Sequence, residues 1–215
     1  MRSRWLAGVS VFHRKNGYMV MAGNKKKLAV FVSGTGTNCE NIIRYFRRSE
    51  RGEVALVLST TTGCLALEKA QRLGVPTMFM SREDFRSGNR LLPVMDSFKI
   101  DFIVLAGFLQ LVPDFLLGRF DHAIINIHPA LLPKFGGKGM YGHHVHEAVK
   151  AAGETETGMT VHWVTKDYDA GEIIAQFRVP VYPDDTPDDI AYREHLLEME
   201  HFPKVIEGLL GDLHL

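Results

Sequence analysis

Short hydrophobic runs alternate with amphipathic segments along most of the chain from Lys27 onward. Runs rich in Val, Ile, Leu and Phe predict buried strands, and apolar positions three or four residues apart predict helices. This alternation is typical of βαβ units, which form a mostly parallel sheet with helices on its faces. The predicted strands of this part are 28–32, 54–59, 77–80, 101–105 and 123–127, and the predicted helices are 38–48 and 64–73.

The pattern changes in the C-terminal third of the chain. A helix is predicted over 142–152, and two strands over 160–165 and 173–181 flank a turn short enough for antiparallel pairing. A final helix is predicted over 187–210, with Pro203 as a kink or a break because proline lacks a backbone N–H. The predicted fold is therefore α/β: a Rossmann-like, mostly parallel sheet flanked by helices, with antiparallel strands toward the C-terminus.

The composition is that of a globular enzyme-sized domain. Hydrophobic residues make up 46% of the 215 residues, enough for a substantial core around an enclosed site. Lys plus Arg and Asp plus Glu both number 25, so no net charge attracts the protein to nucleic acid or to anionic lipid. We predict small-molecule substrates, no nucleic-acid or membrane partner, and a monomer or homodimer.

The N-terminal segment has basic residues and a short apolar run over 5–12, which raises the question of a signal peptide. Three basic residues follow the run directly and no cleavage pattern stands after it, so we reject export. Residues 1–24 are expected to form a flexible extension, and residues 25–215 a single domain.

Two cysteines, Cys39 and Cys64, are the whole complement of the chain. They fall short of a disulfide framework and lack the spacing of metal ligands, so we interpret them as small structural thiols. Their use favours a reducing compartment, and we predict a cytoplasmic location.

A glycine-rich segment, Ser33-Gly34-Thr35-Gly36-Thr37-Asn38, joins the first predicted strand to the first predicted helix. Glycine lets the backbone approach an anion, and a helix N-terminus offers unpaired N–H groups. Thr37 or Asn38 is expected to cap the helix. The segment lacks both the Walker lysine and the third glycine of the dinucleotide fingerprint, so we predict a site for a single phosphate. The alternative is that the glycines only form a tight turn.

Two further segments carry candidate acid–base chemistry. Asn126 and His128 lie two residues apart at the end of a predicted strand, so they point to the same side, at the edge where the glycine segment also lies. A histidine there moves protons, and an asparagine donates to an oxyanion. Asp169 lies in the turn between the last two strands, where it is either a solvated turn residue or a partner that orients His128. Sequence spacing leaves both readings open.

Five segments over roughly residues 27–210 occur in the order of a known family. They are SGTGTN, LAGFLQLVP at 105–113, NIHPALLPKF at 126–135, TGMTVHWVTKDYDAGEIIAQ at 157–176 and the late EMEHFPKVI. Together they resemble the phosphoribosylglycinamide formyltransferases, folate-dependent enzymes of purine synthesis within the formyltransferase superfamily. The resemblance implies direct transfer of the formyl group of 10-formyltetrahydrofolate, a co-substrate, to the amine of 5′-phosphoribosylglycinamide through a tetrahedral intermediate. It implies no metal.

The resemblance also implies a role for each matching residue. The catalytic residues are Asn126, His128 and Asp169, with a protonated His128 beside Asp169. The substrate phosphate and ribose are bound by Gly34, Thr35, Gly36, Thr37, Asn38 and Glu198. The folate pocket is lined by Leu105, Phe108, Leu109, Gln110, Leu111, Val112, Val164 and Tyr168.

Other histidines receive structural interpretations. The loop PKFGGKGMYGHHVHEAV is longer than the compact form of the family, and its histidines favour a mobile active-site loop over a metal site. His162 is assigned to core packing or to a folate contact, and Trp163 and Phe177 to packing. His195 and His201 are predicted at the surface.

Three alternative functions stay open at this stage. Methionyl-tRNA formyltransferase would need an RNA-contacting domain and formyltetrahydrofolate hydrolase an N-terminal regulatory domain, and we expect neither. A nucleotide-binding regulatory module would share the glycine segment but has no use for Asn126, His128 and Asp169 together.

Overall fold

The computed structural model describes residues 12–15, 18–21 and 25–212. The strands in these ranges are β1 (Phe12–Lys15), β2 (Tyr18–Met21), β3 (Lys26–Val32), β4 (Gly52–Ser59), β5 (Thr77–Phe79), β6 (Phe102–Leu105), β7 (Ile124–His128), β8 (Glu156–Trp163) and β9 (Ile173–Pro180). The helices are α1 (Thr37–Phe46), α2 (Leu65–Arg72), α3 (Arg82–Ser87), α4 (Leu91–Ser97), α5 (Asp114–Arg119), α6 (His143–Ala151) and α7 (Pro187–Asp212).

Seven strands form one sheet in the order β5-β4-β3-β6-β7-β8-β9. The strands from β5 to β7 are parallel, whereas β8 pairs antiparallel with both β7 and β9. Every residue of β3 from Leu28 to Val32 is buried. Because successive side chains of a strand point to opposite faces, helices must cover both faces of the sheet at its centre. The predicted fold class is confirmed.

Element boundaries differ from the prediction mainly where a polar residue lies in the sheet. The strand predicted over 160–165 runs instead from Glu156 to Trp163, because its ladder with β9 begins at the pair Glu156↔Pro180.

Three short helices, α3, α4 and α5, were not predicted. In α3 only Phe85 is buried, so the segment has no apolar period, and its start depends on Ser81, whose hydroxyl accepts a hydrogen bond from the Asp84 N–H at 3.0 Å.

The last helix, α7, runs without interruption from Pro187 to Asp212 and includes Pro203. Of the two predicted alternatives at Pro203, a break is wrong, and a kink stays a prediction. α7 packs against α1, α6, β8 and β9, so it closes the sheet on the side of the last strands. No helix in the described ranges, α7 included, combines the length and the apolar character needed to cross a bilayer.

Most of the predicted N-terminal extension lies outside the described residues. The parts that are described, β1 and β2, pair antiparallel from Phe12↔Met21 to Lys15↔Tyr18 in a two-stranded sheet of their own. The division into a flexible extension over 1–24 and a single domain over 25–215 stays a prediction.

Candidate active site

A cleft of about 730 Å³ lies at the carboxyl ends of β3, β6 and β7, with further walls from the turn after β8, the loop before α6 and α7. This edge is where open α/β sheets collect ligands. Every residue predicted for the site lines this one cleft: Gly34, Thr35, Gly36, Thr37, Asn38, Leu105, Phe108, Leu109, Gln110, Leu111, Val112, Asn126, His128, Val164, Tyr168, Asp169 and Glu198. Their individual roles stay predictions.

The glycine segment ends in a helix start that no side chain caps. Gly36 is the N-cap residue, with φ of 77°, so the prediction that Thr37 or Asn38 caps α1 is wrong. The first N–H groups of a helix have no intrahelical partner, and here no side chain takes their place. They remain available to an anion, and the helix dipole favours negative charge at this point.

Asn38 connects this helix start to α7. Its Nδ2 donates to Glu198 Oε2 at 2.8 Å, across 160 residues of sequence. His195 Nδ1 approaches the same Glu198 oxygen at 3.2 Å, and this contact raises the pKa of His195 above its usual 6.5. His195 is half-buried and lines the cleft, a position that the prediction of a surface residue did not include.

An apolar wall follows β6. Ser33 ties it to β3, because Ser33 N–H donates to the Gly107 carbonyl at 3.0 Å and the Ser33 hydroxyl accepts from Leu109 N–H at 3.1 Å. Leu109 and Leu111 are exposed, whereas Phe108 packs edge-on against Phe31 in the core. The wall therefore presents the exposed aliphatic side chains of Leu109 and Leu111 to the cleft, next to Phe108, which is packed in the core.

His128 is the last residue of β7 and is buried. Its Nε2 lies 2.8 Å from the Phe135 carbonyl oxygen, which can only accept, so Nε2 carries a proton. Its Nδ1 lies 3.5 Å from Asp169 Oδ2. Burial lowers the pKa of His128 below 6.5, and Asp169 opposes this only in part. The protonated state of His128 in the reaction stays a prediction.

Asp169 is held in place by its backbone and by two loops. It has φ of 52°, a conformation that Asp tolerates better than most residues, and its Oδ2 accepts from Gly137 N–H at 2.9 Å. Burial alone would raise its pKa, but contacts with His162, His128 and the Gly137 amide outweigh it and hold the pKa below 3.8. With a side chain only 10% exposed, Asp169 is the partner of His128 and not a solvated turn residue.

Asn126 and His162 complete this cluster. His162 is buried; its Nδ1 donates to the Trp163 carbonyl at 2.8 Å, so Nε2 accepts from Asn126 Nδ2 at 3.1 Å. The other amide hydrogen of Asn126 faces Asp169 Oδ1 at 3.4 Å, a weaker contact that a better acceptor can displace. His162 therefore orients Asn126.

The sequence profile of the formyl transferase family matches residues 26–206. The chain belongs to the formyl transferase family. Within the family, the proteins named phosphoribosylglycinamide formyltransferase, chloroplastic, from Vigna unguiculata and Arabidopsis thaliana are 40% identical over 190 residues and 41% identical over 186 residues. These matches cover 86% and 82% of this chain but 61% and 64% of the relatives, so the chain spans about three fifths of their length.

Solved structures agree with this placement. The chain is similar to glycinamide ribonucleotide transformylase 1 from Geobacillus kaustophilus, at 36% identity and a TM-score of 0.80, over 87% of this chain and all of that one. The resemblance predicted from the five sequence segments is confirmed.

In this member of the formyl transferase family, Thr160 holds the loop that follows His128. The buried Thr160 hydroxyl donates to the Ala130 carbonyl at 2.6 Å and accepts from Leu132 N–H at 3.1 Å and from Gln176 Nε2 at 3.0 Å. Since β8 pairs with β7 at His128↔Thr160, the same residue fixes both the strand end and the loop. No chemical motif marks Thr160 in the sequence.

Sequence reasoning missed one buried carboxylate of the cleft, Glu194, and assigned His146 to an active-site loop that continues into a helix. Glu194 lies on α7 and His146 on α6, both are buried, and both line the cleft. Glu194 has the sequence signature of an ordinary surface residue of a helix. Its position one turn before Glu198 was the available signal.

The remaining histidines and cysteines support structural readings. His201 stacks on Phe177 with 3.9 Å between ring centroids, and the packing role of Phe177 is confirmed. Cys39 and Cys64 are free and buried, and burial raises the pKa of Cys39 to about 12, which keeps it an unreactive thiol. Among the described residues, no three His, Cys, Asp or Glu side chains lie close enough together to hold a metal ion.

Proposed function

We propose that this protein is an enzyme that transfers the formyl group of 10-formyltetrahydrofolate to the amine of 5′-phosphoribosylglycinamide, a step of purine synthesis. The observation that carries the proposal is a single cleft that contains an uncapped helix start, an apolar wall and the buried pair His128 and Asp169. The names of the plant and bacterial relatives support the same substrates.

The substrate phosphate is assigned to the start of α1. Backbone N–H groups from Thr37 onward and the positive end of the helix dipole suit a phosphate without a lysine or arginine. Glu198 is joined to this helix start through Asn38, and a carboxylate accepts hydrogen bonds from ribose hydroxyls. One phosphate and one sugar are thereby recognised by neighbouring groups.

The folate donor is assigned to the apolar wall. Family membership supports a folate-type formyl donor, and 10-formyltetrahydrofolate is the specific form proposed. Exposed Leu109, Leu111 and Tyr168, next to the backbone of the loops that carry them, suit a flat ring with polar edges. The two substrates then meet beside His128.

The proposed reaction is direct transfer. The substrate amine forms a bond to the formyl carbon, the bond from that carbon to the folate nitrogen breaks, and the amine proton moves to the departing nitrogen. Asn126 provides an N–H group for the oxygen of the tetrahedral intermediate, and His128, on taking up a proton, places a positive charge beside it. Asp169, 3.5 Å from His128 Nδ1, stabilises a proton taken up there and assists proton transfer through water.

The test is an assay of formyl transfer from 10-formyltetrahydrofolate with three acceptors in parallel: glycinamide ribonucleotide, water and initiator tRNA. We expect transfer to glycinamide ribonucleotide. Preferential use of water or tRNA would identify a different branch of the superfamily and overturn the proposal.

Variants separate chemistry from binding in the same assay. His128→Ala and Asp169→Asn should reduce kcat by at least about 100-fold with little change in KM, because both residues act on the transition state. His122→Asn is the control, since His122 is exposed and its φ of 48° is one that Asn accepts. Normal kcat in either of the first two variants would remove them from the catalytic machinery.

A cytoplasmic location and a monomeric or homodimeric state are proposed with the same function. The two free, buried cysteines support a reducing compartment. Cell fractionation and analytical ultracentrifugation test the two statements, and recovery in a plastid, as the names of the plant relatives would suggest, would contradict the first.

A further inference from the structure

Two carboxyl groups lie one helical turn apart on α7. Glu194 is 2% exposed and Glu198 is 8% exposed, and both line the cleft. Side chains four residues apart on a helix are neighbours, so the two carboxyl groups share one small volume of low polarity. Burial of two negative charges at this distance is strongly unfavourable.

The two carboxyl groups have different surroundings. Glu198 Oε2 faces two donors, Asn38 Nδ2 at 2.8 Å and His195 Nδ1 at 3.2 Å, which stabilise negative charge on Glu198. Glu194 forms no ion pair with a lysine, arginine or histidine of the described chain, and its Oε1 is buried without a hydrogen-bond partner there. If one of the pair holds a proton, it is Glu194.

The electrostatics agree with this assignment. Burial raises the pKa of Glu194 well above 4.5, and the charge of Glu198 and a hydrogen bond to it raise it further. A buried carboxylic acid that stays neutral at pH 7 becomes a hydrogen-bond donor.

We propose that Glu194 is a protonated carboxylic acid that donates its hydrogen bond to Glu198, and thereby acts as a positioning residue that presents Glu198 as a single, oriented carboxylate to the sugar hydroxyls of the substrate. The assignment of the sugar rests on the proposed function. The protonation of Glu194 does not, since it follows from the packing of α7 alone.

Unpartnered atoms around Glu198 point to a ligand with several hydroxyl groups. Glu194 Oε1, Asn38 Oδ1 and His146 Nδ1 are each buried and have no hydrogen-bond partner among the described residues, and all three residues line the cleft. Asn38 contacts Glu198 directly, and the pKa of His146, lowered first by burial, is raised in part by the Glu198 charge. Buried polar groups of this kind are normally paired, and adjacent sugar hydroxyls both donate and accept.

The proposal predicts a pH dependence. Below the raised pKa of Glu194, Glu194 is neutral and the pair carries only the negative charge of Glu198. When the pH rises above this pKa, Glu194 becomes negatively charged as well, and the two carboxylates repel each other. Binding of the ribonucleotide should therefore weaken on the alkaline side. The other titratable groups that face the pair are His195 on α7, His146 on α6 and His128 on β7. They titrate in wild type and in Glu194 variants alike, so variants at Glu194 isolate its contribution.

The experiment compares Glu194→Gln, which keeps the shape and a donor, with Glu194→Met, which keeps the size but cannot donate. Glu194→Met should raise KM for the ribonucleotide about tenfold, about 1.4 kcal/mol, with kcat little changed. Glu194→Gln should have the wild-type KM at neutral pH, but its KM should not rise at alkaline pH as that of wild type does. Glu200→Gln, an exposed carboxylate of the same helix, is the matched control and should match wild type throughout.

Infrared spectroscopy gives a readout that does not depend on activity. At neutral pH, wild type and Glu200→Gln should show the carbonyl stretch of a buried protonated carboxyl group, and Glu194→Gln should lack it. Absence of the band from wild type, its persistence in Glu194→Gln, or an alkaline rise of equal size in Glu194→Gln would overturn the proposal.

Calorimetry with ribose 5-phosphate separates this proposal from the proposed function. Suppose that the protein transfers no formyl group, but that the infrared band is present and ribose 5-phosphate binding weakens in Glu194→Met and not in Glu194→Gln. The proposed hydrogen bond from Glu194 to Glu198 is then supported, and the proposed reaction is wrong. If Glu194→Met does not fold, the infrared band and the pH dependence in Glu194→Gln still decide.

Discussion

The Nδ2 of Asn41 lies 2.7 Å from the carbonyl oxygen of Met199 and donates a hydrogen bond to it. Met199 is four residues before Pro203, and in a regular helix its carbonyl would accept from the N–H that proline lacks. Asn41 on α1 thus supplies the missing donor to α7 and lets that helix pass through Pro203 unbroken. The same contact holds Glu198 beside the start of α1.

Replacement of Asn41 by Ala should lower the free energy of unfolding by about 1–3 kcal/mol, because the partly buried Met199 carbonyl loses the donor that Asn41 supplies. In a Pro203→Ala background, where the N–H of residue 203 is restored, the same change should cost less. Urea unfolding of the four proteins of this double-mutant cycle measures the difference. Equal losses in both backgrounds would show that Asn41 and Pro203 are not coupled.

Gly36→Ala should destabilise the protein and weaken ribonucleotide binding. An added Cβ would lie 2.4 Å from Ala66 Cβ, at a residue whose φ of 77° already disfavours side chains. We expect a loss of about 2–5 kcal/mol, and a lower melting temperature by several degrees. Gly34→Ala is the comparison for folding, since nothing lies within 4 Å of its added Cβ. A Gly36→Ala protein as stable as Gly34→Ala would refute the steric argument.

Thr160→Val keeps the shape of the side chain but removes a hydroxyl with three hydrogen bonds. The free energy of unfolding should fall by about 1–3 kcal/mol, because Leu132 N–H and the Ala130 carbonyl lose a buried partner. kcat should fall as well, since the loop after His128 is released. Thr157→Val on the same strand removes a buried hydroxyl that has no partner in the described part of the chain, so it should be neutral or stabilising. Equal effects of the two substitutions would contradict this account.

The pKa of His128 should be measurable by NMR titration of its imidazole and should lie below 6.5, whereas that of His195 should lie above it. Asp169→Asn should lower the pKa of His128 further, because the Asp169 charge is a contribution that raises it. An unchanged or higher value in that variant would show that the two groups are not coupled.

The same shift sets a pH window for stability. Because the folded pKa of His128 is below the unfolded value, its contribution is fully present above pH 6.5 and is lost as the pH falls through the folded pKa. Asp169, with a pKa below 3.8, adds a second loss at still lower pH. Unfolding of His128→Gln should show a smaller loss of stability just below pH 6.5 than wild type does.

Much of the fold was predictable because its main strands and helices follow from the hydrophobic pattern of neighbouring residues. Continuous apolar runs predicted β3, β4, β6 and β7, and paired apolar positions predicted α1 and α2. α3 was missed because it buries one side chain, Phe85. The start of β8 was missed because its first residue, Glu156, is polar and joins the sheet through its backbone pairing with Pro180.

The candidate site was predictable to the extent that its residues lie in recognisable segments. Residues 34–38 of the glycine segment, the NIHP segment and residues 167–169 of the DYDAG turn line the observed cleft. Glu194 lies in no recognisable motif. Its proposed role depends on its burial beside Glu198 and the cleft, which cannot be predicted from the neighbouring residues in the sequence. The lowered pKa of His128 has no local signal either, since it depends on how completely distant segments exclude water.

The sequence by itself determined the α/β class, the order of its main strands and helices, and the segments whose residues line the cleft, because hydrophobic period and motif chemistry depend on neighbours along the chain. Only the tertiary structure decided which groups meet: Asn38 with Glu198 across 160 residues, Asn41 with Met199 across 158, and Asp169 with His128. Protonation, hydrogen-bond partners and burial are properties of those contacts, so they arise only when the sheet and α7 come together.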